Sequence, residues 1–420
     1  MSAFGSPQFF SKYNSIGKEE LKAAAKVVEK GILSSFVGSW SPSFYGGEQV
    51  QCLEQEMSEY FGVKHAISVN SWTSGLICAV GALGLEPGDE VIVPTWTMSA
   101  TATAILVWNC VPVFADIDRD TFCISIESVK KLITPKTRAI IAVDIFGQSA
   151  DVESLKDICN DHQLFLISDS AQAPNAKRND AFAGSLSDIG GISLNYHKHI
   201  HSGEGGVIFT DNDEFALRMK LIRNHGEVVL SEMAQNERPK DVAGIVGFNF
   251  RLGEIEAAIA RQQLKKLEKL TKRRSEIAKQ LIDGLSDFPG IKLPQVDDSN
   301  THVFYMFPVV LIGKALDIGR ERVCRALQNN GLFDVEQGYE NLHLLPIYRD
   351  RNAYGNSDIP WVLDEHFKAS NYEKGSCPIA EEYKESSLFL MPLCVYELSD
   401  KDIAKVLEIF DRTWRELALF

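Results

Sequence analysis

Apolar positions along this chain recur with two different periods, and their alternation outlines the fold. Over Lys18 to Lys30 (KEELKAAAKVVEK) they fall at helical spacing, whereas the Gly-, Ser- and aromatic-rich stretch from Gly31 to Gly47 has no period and reads as a loop. From about residue 48 helical segments alternate with short β-branched runs: AISV, VIVP, PVFADI, AIIAVDIF, LFLISD, GGISL and GVIFT. Strands separated by helices need crossover connections, which predicts a mostly parallel sheet with ligands at its strand ends. After Asn249 a charged helical pattern, GEIEAAIARQQLKKLEKLTKRRSEIAKQLIDGL, runs to a stop near Asp287, Pro289 and Gly290 and reads as one long helix bridging two domains. The remainder mixes strands such as HVFYMFPVVLI with helices such as IGRERVCRALQNNG and SDKDIAKVLEIFDRTWREL, a smaller α+β unit. The expected division is a large domain over residues 1–270 and a small C-terminal domain over 271–420.

Composition narrows the function classes. A length of 420 residues suits two packed domains, and 45% hydrophobic with 24% charged residues is the make-up of a globular chain. The net charge of -14 turns away nucleic acids, whose phosphates are gripped by clustered Lys and Arg. Eight cysteines without a CxxC pair read as buried thiols in a reduced setting. The opening MSAFGSPQFF has no basic stretch leading into an apolar run, and no segment reaches membrane-spanning length, so a cytoplasmic protein without a membrane partner is expected.

Four stretches carry candidate chemistry. In SLNYHKHIHSGEGG a strand ends and Lys198 precedes a glycine-rich turn. A lysine forms an imine with an aldehyde only as the neutral amine, a form that burial promotes. In LFLISDSAQA an apolar strand delivers Asp169 to its polar end, with Gln172 close behind. A fixed aspartate of this kind keeps the ring nitrogen of pyridoxal phosphate protonated, which the cofactor needs as an electron sink. In VNSWTSGLICAVGALG a strand turns into a helix at Ser71 to Ser74, where free N–H groups and the macrodipole suit a phosphate, with hydroxyls from Thr73 and from Ser193. In FNFRLGEIEAAIA, Asn249 and Arg251 precede a helix start, and an arginine fork suits a carboxylate or phosphate. Taken singly, each has a plainer reading: a solvated lysine, a helix-capping aspartate, a routine helix start and a structural salt bridge.

In order and spacing these pieces resemble the DegT/DnrJ/StrS family, the sugar aminotransferases of fold type I. The likeness covers nearly the whole chain, through GVKHAISVNSWTSGL, LEPGDEVIVPTWTMSATATAI, SDSAQA, SLNYHKHIHSGEGG, NFRLGEIEAAIARQQLKKLE and MPLCVYELSDKDI. It implies an α/β fold: a large domain with a mostly parallel seven-stranded sheet flanked by helices, plus the smaller α+β domain. It further implies pyridoxal 5'-phosphate as cofactor and transfer of an amino group from an amino acid, glutamate or glutamine, to a keto-sugar, nucleotide-linked in the first reading, with a free amino-sugar precursor or a cyclitol as the alternatives. A homodimer with shared sites is implied as well. By the same resemblance Lys198 holds the cofactor, Asp169 pairs with its pyridine nitrogen and Gln172 sits over its ring oxygen. Thr73, Ser193 and the backbone of Trp72 bind its phosphate, and Asn249 reaches the phosphate in the neighbouring subunit.

Several residues depart from the family pattern. Trp72 stands where glycine is usual, so its side chain is expected to point away from the phosphate. Met98 replaces an aromatic ring against the cofactor, and strand alternation turns the nearby Trp96 the other way. His197, His199 and His201 would share one side of an extended segment, and they read as site-lining and packing residues rather than metal ligands. The insertion FVGSWSPSFYGG either offers Trp40, Phe44 and Tyr45 to a sugar face or packs on a dimer partner. The family's 3-dehydratases, with histidine in place of the lysine, are the nearest alternative; counting back from Gly203-Glu204-Gly205-Gly206 keeps Lys198 in register. A non-catalytic, ligand-sensing descendant would have lost Lys198 or Asp169, and both are present.

Overall fold

The computed structural model describes residues 10–234, 237–238, 244–296 and 300–420; residues 1–9, read above for a targeting leader, lie outside these. All seven β-branched runs form strands of one sheet: β1 (His65–Val69), β2 (Glu90–Pro94), β3 (Val111–Ala115), β4 (Thr137–Val143), β5 (Phe165–Asp169), β6 (Ile189–Ser193) and β7 (Gly206–Thr210). Their spatial order is β1-β7-β6-β5-β4-β2-β3. Strand β7 runs antiparallel to both β1 and β6, and the other pairs are parallel. The exception has a local cause: residues 194–205 between β6 and β7 contain no helix to carry a crossover, so the chain returns antiparallel. One consequence places the site. The C-terminal ends of β1, β5 and β6 share an edge of the sheet, where Gly206 lies in register with both Val69 and Ser193.

The helix Lys18–Lys30 spans the predicted residues. The bridging pattern, expected to be one helix, is two: Glu254–Leu264 and Leu267–Leu285. Lysines at the break are good helix formers, so propensity did not end the helix. The two halves bury their apolar stripes in different places. Ala257, Ala260 and Leu264 pack with Val50, Leu53 and Met57 beside β7, whereas Ile277, Ala278, Leu281 and Leu285 enter a second core.

That second core surrounds a three-stranded antiparallel sheet with Phe307–Leu311 at its centre, between Ile291–Lys292 and Leu388–Met391. It also takes the apolar faces of Arg320–Asn329 and Asp400–Glu416. Leu342, Tyr348, Trp361, Tyr372 and Tyr383, although late in the chain, pack instead with the core of the large sheet. Tyr372 anchors this stretch at β3: its hydroxyl donates to the Pro112 carbonyl at 2.5 Å and accepts from Trp361 Nε1 at 2.7 Å. Seven of the eight cysteines are buried and all are free thiols.

Candidate active site

At the shared strand edge lies a cavity of about 200 Å³ bordered by Ser71, Thr73, Asp169, Gln172, Ser193 and Lys198. Lys198 follows β6 in a turn closed by its backbone N–H donating to the Asn195 carbonyl at 2.9 Å. Its side chain is buried, with Nζ 4.2 Å from the centre of the Tyr305 ring. Burial lowers its pKa from 10.5 to about 8, against the opposing pull of Asp169 and of Cys394. The amine is therefore neutral far more often near neutral pH than an exposed lysine is, the state in which it is a nucleophile.

Asp169 is the last residue of β5. Its Oδ1 accepts from Trp72 Nε1 at 2.6 Å and from the Ala171 N–H at 3.3 Å, and its Oδ2 accepts from Thr101 Oγ1 at 2.8 Å. Burial raises its pKa, while the Thr101 and Trp72 donors pull it back toward the ionised form. Gln172 is locked at both ends of its amide: Oε1 accepts from the Phe146 N–H and Nε2 donates to the Tyr339 hydroxyl, each at 2.9 Å.

The third corner is the start of the helix Trp72–Ala82. Ser71 caps it, with Oγ accepting from the Ser74 N–H at 3.1 Å, while the N–H groups of Trp72 and Thr73 have no acceptor within the helix. Ser193 stands at the end of β6 with its Oγ accepting from the Asn195 N–H at 3.2 Å, which leaves the hydroxyl proton free to donate into the same corner. Met98 is on the cavity rim and exposed. Trp96 does turn the other way, but through the bend that follows β2 and not by alternation, which would set residues 96 and 98 on one face; its Nε1 donates to the Tyr339 carbonyl at 2.5 Å.

Other expectations need correction. The Trp72 side chain points away from the phosphate corner, but its destination was not foreseen: it runs beneath the cavity to Asp169. The chain over residues 197–201 is a turn and not an extended segment, so its histidines diverge. His197 lines the cavity, with burial pushing its pKa down to about 4. His199, expected as a substrate contact, is buried outside the cavity and donates Nε2–H to the Val303 carbonyl at 2.8 Å. Among the described residues no group of three His, Cys, Asp or Glu side chains stands close enough to hold a metal ion. Trp40 and Tyr45 are not brought to the cavity either. They pack around Phe44 on Leu221, Val229, Leu230 and Met233. Asn249 and Arg251 are bonded to each other, Nε to Oδ1 at 2.8 Å, and neither borders the cavity.

Sequence reasoning missed Tyr305, Tyr339 and Thr101. Tyr305 sits in an apolar run that looks like core, and Tyr339 in a stretch without any period. Neither segment carries a local sign that the fold returns it to Lys198.

An amine, a carboxylate and a set of free N–H groups stand at three corners of one cavity, and pyridoxal phosphate presents an aldehyde, a ring nitrogen and a phosphate that need those partners. The donor set fits the cofactor, and on a sheet of this topology it marks the class of pyridoxal-phosphate-dependent aminotransferases. The model of the DegT/DnrJ/EryC1/StrS aminotransferase family matches residues 38–370, and the chain belongs to that family of sugar aminotransferases. Spore coat polysaccharide biosynthesis protein SpsC of Bacillus subtilis is 30% identical over 398 residues, 94% of each chain. GDP-perosamine synthase of Caulobacter vibrioides is 34% identical over 299 residues, 70% of this chain and 77% of its own. Among solved structures, S. venezuelae DesV superposes with a TM-score of 0.76 at 27% identity, covering 94% of both chains. No helix among the described residues is long and apolar enough to cross a membrane.

Proposed function

We propose that this aminotransferase moves an amino group from glutamate or glutamine to a nucleotide-linked keto-sugar, with Lys198 as the group that holds the cofactor and carries the proton. The observation that carries the proposal is the placement of the Lys198 amine, buried with its pKa lowered to about 8, in the cavity that also contains Asp169 and the start of the helix Trp72–Ala82. When bound, pyridoxal phosphate supplies an electron sink that makes the α-carbon proton of the donor removable. Lys198 Nζ, neutral and nucleophilic, would hold the cofactor by its aldehyde carbon and, once freed by the donor amine, would serve as the base that carries the donor's α-carbon proton. Asp169 would keep the ring nitrogen protonated, and Gln172, held by Phe146 and Tyr339, would contact the ring oxygen. Thr73, Ser193 and the N–H groups of Trp72 and Thr73 would hold the phosphate, and Met98 would pack against the cofactor from the rim. In a homodimer Asn249, braced by Arg251, serves the phosphate of the neighbouring subunit. GDP-perosamine synthase among the relatives supports a nucleotide-linked acceptor. The presence of Lys198 in the cavity with Asp169 supports transamination over the 3-dehydratase alternative.

The test is the visible absorption of the protein with pyridoxal phosphate, before and after glutamate or glutamine, in wild type and Lys198→Ala. A lysine-dependent band that the donor converts to the pyridoxamine form, followed by its return on adding nucleotide-linked keto-sugars but not free ones, is the expected outcome. Ordinary turnover in Lys198→Ala, or a band no amino donor alters, would sink the assignment.

A further inference from the structure

The indole of Trp72 is built into the floor of the cavity at a measurable cost in side-chain space elsewhere. A Cβ at position 191 would stand 2.2 Å from the Val207 carbonyl oxygen and 2.3 Å from the indole Cζ3, one at 75 would stand 2.6 Å from its Cε3, and one at 206 would stand 2.9 Å from the Trp72 backbone N. All three positions are glycine, on β6, on the helix Trp72–Ala82 itself and at the start of β7. The cleared path leads to one acceptor, Asp169 Oδ1, at 2.6 Å from Nε1. Thr101 holds the other oxygen, so both oxygens of the carboxylate are gripped by side-chain donors. The residue that makes this bond is also the first residue of the helix whose free N–H groups form the phosphate corner.

We infer that Trp72 is a positioning residue for the ring-nitrogen end of the cofactor: its indole N–H holds Asp169 oriented and ionised, and ties that carboxylate rigidly to the phosphate-binding helix start. The inference rests on the reading of Asp169 as partner of the ring nitrogen. Two groups compete for one proton there, the carboxylate and the pyridine nitrogen. Donors to the carboxylate lower its proton affinity, so the proton stays on the nitrogen. Without the indole N–H the buried Asp169 becomes more basic and the proton shifts toward it, while the carboxylate loses one of the contacts that aim it.

Trp72→Phe keeps a ring in the glycine-lined path and removes the donor. In the full-length protein the variant should bind pyridoxal phosphate more weakly, with about a hundredfold as the ceiling set by the worth of one hydrogen bond to a charged group, because the indole bond is already present in the cofactor-free protein. Its cofactor absorption should change with pH across a range in which the wild-type band is constant. A wild-type spectrum, pH response and cofactor affinity in a folded Trp72→Phe would overturn the inference. Asp169→Asn is the control that separates the two ideas. If it alters the band and Trp72→Phe does not, only the role of Trp72 fails; if Asp169→Asn changes nothing, the reading of Asp169 fails first. Should Trp72→Phe not fold, the indole N–H resonance of Trp72 in 15N-tryptophan-labelled protein decides instead: it should move on Asp169→Asn, and a resonance that stays in place rejects the inference.

Discussion

A buried amine with no carboxylate in direct contact opposes folding, and Lys198 is such a group. Its folded pKa of about 8 lies below the ordinary 10.5, so the folded state binds the proton less tightly than the unfolded chain. Stability of the cofactor-free protein should therefore rise with pH between those values. Lys198→Met should stabilise the cofactor-free protein by on the order of 3 kcal/mol at pH 7, with the gain shrinking as pH climbs through 8 toward 10.5. Urea unfolding at a series of pH values checks this. The same shift sets a kinetic expectation: cofactor capture by the free protein should accelerate through about pH 8 and level off above it, which stopped-flow absorbance reads directly. Lys198, Asp169 and Gln172 were legible in the sequence because each stands at a strand end or in the turn that follows, where backbone direction alone brings it to the ligand edge. The partner of Trp72 was missed and His199 was misread for one shared reason. Their side-chain directions depend on local dihedrals and on the neighbours they meet, which spacing does not encode.

Elements tie these residues to the scaffold through their ends. The helix Trp72–Ala82 has neutral residues in its first turn, so Ser71 is its main N-terminal support. Ser71→Ala removes the bond to the Ser74 N–H and should cost about 1 kcal/mol of stability. It should also weaken phosphate-containing ligands more than pyridoxal, because a frayed first turn no longer aims its N–H groups. Paired titrations with pyridoxal and pyridoxal phosphate separate the two effects, and equal losses for both would reject the account. Periodicity showed that the stretch from Glu254 to Leu285 is helical but not that it breaks after Leu264. The break follows from two cores drawing on the two halves, and no single window of sequence contains both.

Across the whole molecule, the stretch around Trp361 and Tyr372 is held to the large sheet by polar contacts as well as by packing. Glu90, at the start of β2, is buried; its pKa is raised by burial, against the Thr134 donor, with the nearby Asp364 raising it further. A carboxyl that is easier to protonate in the folded state contributes stability at low pH and loses it as pH rises through its folded pKa. Glu90→Gln replaces the charge with an amide that can still accept from Thr134 and can donate to Asp364. It should raise stability at pH 8, with no gain below pH 4.5. Urea midpoints at the two pH values test this, and a destabilised variant at pH 8 would contradict it.

By itself the sequence determined the local layer of this protein: seven strands, the helices between them, and the motif residues that strand ends deliver to one edge. Hydrophobic period and backbone direction are properties of a few neighbouring residues, so they can be read in a short window. Tertiary structure alone decided which distant groups meet. The bonds from Trp72 to Asp169, from Gln172 to Tyr339 and from Trp96 to Tyr339 join positions 97, 167 and 243 residues apart. Such contacts arise from the summed packing of two cores, and glycines at 75, 191 and 206 matter only because of what the fold brings against them.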